Sequence, residues 1–74
     1  EEIQMNKDAN ERIAKMFIEL QEKTGLTNRY VSKQLGIAEN TIASWKNGKF
    51  AFSLKTLNKI ESFIEKTNKF YDSL

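Results

Sequence analysis

Apolar side chains recur along the first third of the chain at helical intervals. Ile13, Phe17 and Leu20 stand four and three residues apart, with Met16 beside them. That spacing puts them on one face and predicts a helix over about 10–24. Gly25 follows the last turn, where a residue at ease in the left-handed region commonly ends a helix. Tyr30, Val31 and Leu35 mark a second segment, opened by Thr27 as N-cap and closed by Gly36. Ile42 and Trp45 carry a third that stops at Gly48. Ser53 caps a fourth, in which Leu54, Leu57, Ile60, Phe63 and Ile64 line one side, and it can run on through Phe70, Tyr71 and Leu74. Residues 49–52 read as loop or a short helical turn. No alternating run is long enough for a strand. The expectation is an all-α fold, a compact four- to five-helix bundle with two short helices at its centre.

Composition narrows the possible chemistry. With 74 residues and an 8.6 kDa mass there is enough chain for one small core. That is one domain, standing alone or cut from a longer protein. There is no Cys and no His. Disulfides are thereby excluded, a structural zinc site is disfavoured, and the commonest general base and the thiolate nucleophile are missing. No catalytic residues, cofactor or metal are expected. Apolar runs are too short for a bilayer, and the polar, acidic start is unlike a signal peptide. A cysteine-free soluble chain suits the cytoplasm.

Charge adds a direction. Residues 1–24 hold four basic and six acidic side chains, net −2. Residues 25–60 hold Arg29, Lys33, Lys46, Lys49, Lys55 and Lys59 against Glu39 alone, net +5. Residues 61–74 return to net −1, with two basic and three acidic. Any one lysine is ordinary solvated surface. A positive field concentrated on the short central helices attracts polyanions and also acidic proteins.

The central segment has the parts a steep helix–helix corner needs. Ser32 is the small residue where the two backbones approach, and Gly36 takes the turn. Val31, Leu35, Ile37, Ile42 and Trp45 lock the corner. The stretches LTNRYVSKQLGIAENTIASWKNGK and SLKTLNKIESFI resemble the Cro/repressor-type family, the lambdoid phage repressors and the wider XRE regulators. The resemblance runs from Ile13 to about Ile64 without insertion. It implies a lambda-repressor-like bundle with a helix-turn-helix over 27–48 and a recognition helix over about 39–47, lying in the major groove. Residues 10–66 are the expected DNA-binding domain, preceded by a flexible acidic arm over 1–9 and followed by a helical extension over 67–74.

Residue roles follow from the same resemblance. Glu39, Asn40, Ala43 and Ser44 are the base-contacting positions: Asn40 suits adenine, Glu39 cytosine, and Ala43 a thymine methyl. Asn28 and Asn47 match phosphate-binding positions, with Arg29, Lys46 and Lys49 as further clamps on the DNA backbone. Each has a plainer reading beside it. Glu39 also suits a helix N-terminus, Asn47 also ends a helix, Tyr30 is open between packing and phosphate, and Trp45 points into the core.

Three departures from the family pattern stand out. Ala38 occupies the N-cap position where Ser or Thr is usual. The loop KFAF lacks the usual proline. Gln21 and Lys46 replace an Arg–Glu pair found in many relatives, so that ion pair is lost; Lys46 is then free for phosphate, and packing must hold the helices together. Family members usually bind palindromic DNA as dimers, which implies a homodimer on its operator, with Phe50, Phe52 and Tyr71 as candidate contacts. The leading expectation is a transcriptional regulator of phage or bacterial type, a repressor, in the bacterial cytoplasm or nucleoid. The alternatives are a DNA-binding module of a terminase small subunit or recombination accessory factor, and an antitoxin- or antirepressor-like protein-binding domain.

Overall fold

Helices end at Gly25, Gly36 and Gly48, whose φ angles of 78°, 69° and 77° lie in the left-handed region. They divide a computed structural model that describes residues 2–74, with side chains from Asn6 onward. The helices are α1 (Glu2–Thr24), α2 (Asn28–Leu35), α3 (Glu39–Lys46) and α4 (Leu54–Asp72). No strand occurs among the described residues. At the end of α2, the amides of Gly36 and Ile37 both donate to Ser32 O, at 2.8 and 3.1 Å. At the end of α3, Lys49 N reaches Ser44 O at 2.8 Å and Gly48 N reaches Trp45 O at 3.1 Å. That reciprocal pair closes the helix and requires a left-handed residue at Gly48, whose backbone angles set the two donor amides relative to each other.

The start of α1 differs from expectation. The helix runs from Glu2, so residues 2–9, expected as a flexible arm, continue the helix; Glu1 lies outside the described residues. This stretch contains no Gly or Pro, and a nucleated helix extends at little cost through such residues. Apolar periodicity registers only the part of a helix that faces a core. The helix beginning at Thr27 is as predicted: the Thr27 hydroxyl accepts from Tyr30 N at 3.0 Å. Ser53 likewise caps α4 through Thr56 N at 3.3 Å.

All four helices contribute to one core: Ile13, Phe17 and Leu20 from α1, Val31 and Leu35 from α2, Ile42 and Trp45 from α3, and Leu57, Ile60 and Ile64 from α4. Helices α1 and α4 run side by side in the same direction. Arg12 pairs with Glu61 at 3.3 Å and Lys23 with Asp72 at 2.6 Å, each partner 49 residues further along. Both pairs are largely exposed, so they align the helices more than they stabilise them.

Asn10 is buried within this core. It continues the stripe of Ile13, Phe17 and Leu20 by one further step of three. Its Oδ1 accepts from Trp45 Nε1 and from Phe52 N, both at 2.8 Å. Its Nδ2 donates to Phe52 O at 3.0 Å and to Asn6 O at 2.7 Å. An amide has two donor hydrogens and two acceptor sites, and all four are in use. One side chain of α1 thereby ties down α3 and the loop that leaves it.

Two stability outcomes follow. Asn10→Ala leaves Trp45 Nε1 and both main-chain groups of Phe52 without these partners, and should cost about 2–4 kcal/mol. Thermal unfolding should show this as a loss of roughly 10–20 °C in Tm. Gly36→Ala should cost about 1 kcal/mol through backbone strain alone, since a Cβ there meets nothing within 4 Å. Gly36→Asn should cost less, because Asn tolerates the left-handed region.

Candidate nucleic-acid interface

The recognition-helix candidate, α3, opens at Ala38, whose extended backbone (φ −60°, ψ 139°) suits an N-cap but whose side chain makes no capping bond. Ile42 and Trp45 bury one face. Away from them lie Glu39, Asn40 and Asn47, which are exposed, and Ala43 and Ser44, which are half-buried. None of the polar side chains in this set hydrogen-bonds within the chain among the described residues. Asn47 does not end the helix through its side chain, because the Gly48 and Lys49 amides do so from the backbone. The expected base-contacting set therefore shares one free surface.

Trp45 is a core residue. It is 2% exposed, with its ring between Phe17 and Phe52 at centroid distances of 5.6 and 5.3 Å. Together with the Nε1 bond to Asn10, this fixes the rotation of α3 about its own axis, and so which residues face outward.

One phosphate candidate, Lys46 at the end of α3, is placed differently from expectation. Lys46 is not free. Its Nζ donates to Gln21 Oε1 and, at 3.1 Å, to Asn28 Oδ1, and it lies 5.6 Å from the centre of the Phe17 ring. Gln21 Nε2 donates to Leu26 O at 3.1 Å and to Asn28 Oδ1 at 2.8 Å. The link between helices therefore does not rest on packing alone: a lysine and two amides supply a polar tie. Lys46 comes four residues after Ile42, on the inner flank of α3, which is the spacing that could have indicated it. Arg29 and Lys49 are exposed. Lys59, counted in the basic segment, donates to Leu35 O at 2.6 Å and so satisfies a carbonyl at the negative end of α2.

The aromatic candidates for a dimer contact separate. Phe52 is 8% exposed, packed on Trp45 and held by Asn10, so it belongs to the monomer core and not, as expected, to a contact surface. Phe50 is 46% exposed and meets Phe52 edge-on at 5.0 Å. Tyr71 is half-buried and lies near the far end of α4, about 25 Å from its start at 1.5 Å per residue. Tyr30 is exposed and lines a groove with Leu26, Phe63, Lys66, Phe70 and Tyr71.

Two short helices joined through a left-handed glycine, with the second rolled so that a polar face is free, define a helix-turn-helix domain. A family model described as Helix-turn-helix matches residues 18–67, well over half the chain. The protein belongs to this DNA-binding family, the XRE-type helix-turn-helix proteins. No curated protein and no solved structure matches it. Among the described residues, no helix is long and apolar enough to cross a membrane.

The uncapped N-terminus of α3 generates one outcome. Ala38→Ser should stabilise the fold by about 1 kcal/mol, because the backbone already holds the cap conformation and the hydroxyl can reach the first-turn amides. Denaturant unfolding should show a higher midpoint at unchanged slope.

Proposed function

We propose that this domain binds double-stranded DNA sequence-specifically, with α3 in the major groove, and acts as a transcriptional regulator, a repressor at palindromic operators. The observation that carries this reading is the outer face of α3. Glu39, Asn40, Ser44 and Asn47 are polar and unengaged, on a helix whose rotation Trp45 fixes. Asn40 offers a bidentate pairing to adenine and Glu39 an acceptor for cytosine; Ala43 and Ser44 meet the next bases one turn on. Asn28, Arg29, Asn47 and Lys49 hold phosphates around them, and the Lys46 charge adds to the same field. The role is binding, without a catalytic step, in the bacterial cytoplasm or nucleoid.

One recognition helix reads few base pairs, so the proposed unit on DNA is a homodimer with its two α3 helices about 34 Å apart. Phe50, 46% exposed in the loop that follows Gly48, is the candidate for the two-fold contact. The groove around Tyr30, Phe63 and Phe70 favours a second reading, a protein-binding role of antitoxin or antirepressor type.

Selection from a random duplex pool at about 100 mM salt, followed by salt titration of the winner, separates these readings. A two-fold-related motif with steep salt dependence is the expected result; no DNA affinity from folded protein would move the role to the protein-binding reading. On the selected site, Asn40→Ala with Ser44→Ala should relax base preference and spare most non-specific affinity. Lys49→Ala should weaken binding to every sequence and reduce the salt slope by about one.

A further inference from the structure

A lysine ammonium donates hydrogen bonds and accepts none, so Lys46 decides which way its two amide neighbours face. Its Nζ meets Gln21 Oε1 and Asn28 Oδ1. Either amide turned over would set NH2 against NH3+. With Gln21 held this way, its Nε2 points at Leu26 O and at the same Asn28 Oδ1. Asn28 Oδ1 therefore accepts from two donors, while its Nδ2, on the other side of the amide, has no partner among the described residues. An unrestrained asparagine presents its donor and acceptor ends alike. This one offers a ligand its donor end.

We propose that Gln21 and Lys46 are positioning residues that hold the Asn28 amide with Nδ2 outward, ready to donate to a DNA phosphate oxygen. The inference rests on the reading of Asn28 as a phosphate contact and deepens it. A phosphate carries only acceptors, so an Asn28 turned the other way would face it oxygen to oxygen. Holding the side chain before binding removes the ordering cost that a free rotor meets on the DNA. The pair that replaces the relatives' Arg–Glu link thus has a second use here. It joins α1 to α3 and orients a residue of α2.

A double-mutant cycle on a generic duplex, with each protein first shown to be folded by thermal unfolding, tests the role. Asn28→Ala should weaken binding by about tenfold, the loss of one hydrogen bond to a charged group. Gln21→Met should weaken it several-fold in the native background and leave it unchanged in the Asn28→Ala background. Gln21→Glu guards against loss of fold, since it keeps an acceptor for Lys46 and so preserves the tie between helices. It cannot donate to Asn28 and sets a carboxylate oxygen against Asn28 Oδ1, while Lys46 still calls for that oxygen, so the amide should lose its single orientation. Its effect on binding should therefore shrink when Asn28 is already Ala, whereas a plain charge effect would persist. Equal losses from the Gln21 variants with and without the Asn28 side chain would overturn the inference, and so would an Asn28→Ala protein of native affinity. A native protein with no salt-dependent affinity for any duplex would instead overturn the DNA-binding reading beneath it.

Discussion

Asn10 is the one buried polar residue among the described residues, and three of its four hydrogen bonds join α1 to Trp45 on α3 and to both main-chain groups of Phe52. Trp45 cannot rotate without losing its indole partner, and Phe52 cannot leave the ring stack without exposing its own N–H and C=O. The roll of α3 and the course of the loop after Gly48 therefore depend on a single amide. In so small a core this is economical. The directional bonds supply the uniqueness that apolar contacts among Phe17, Trp45 and Phe52 alone would leave loose.

With the inner face of α3 settled, the outer face is left for a ligand. The basic character of the middle of the chain divides in the same way. Lys59 is spent on the end of α2 and Lys46 on the two amides, while Arg29, Lys33, Lys49 and Lys55 remain exposed. Charge that looks uniform in one dimension becomes a structural part and a part directed at solvent. The two parts meet at Asn28, a half-buried residue whose Oδ1 accepts from the Lys46 ammonium.

The features most legible in the sequence are those set by local rules. Gly25, Gly36 and Gly48 end helices because few other residues accept their backbone angles, and the caps at Thr27 and Ser53 follow from short-range hydrogen bonding. The two apolar residues of α3 sufficed to orient its faces. What the sequence concealed depends on distant partners. Asn10 sits in register with Ile13, Phe17 and Leu20, and a polar residue on a buried stripe signals a satisfied partner, but nothing nearby names that partner as Trp45. Phe52 lies in a loop without periodicity, so its burial depends on Asn10 and Trp45 rather than on its neighbours. Gln21 and Lys46 looked like a lost ion pair because charge was the property compared. As donor and acceptor they still bond, through different chemistry. The residues ahead of Asn10 are helical without an apolar stripe at helical spacing to announce it.

The most direct test of which surface meets DNA is amide chemical-shift mapping during titration with a duplex. The chain contains no proline, so no internal residue lacks an amide to follow. The expected shifts fall on residues 28–30 and 39–49 and on the Asn28 side-chain amide, with the Trp45 indole N–H and the amides of α4 beyond Ile60 little changed. Shifts centred on Phe63, Lys66, Phe70 and Tyr71, or none at saturating duplex, would contradict the placement of DNA on α3.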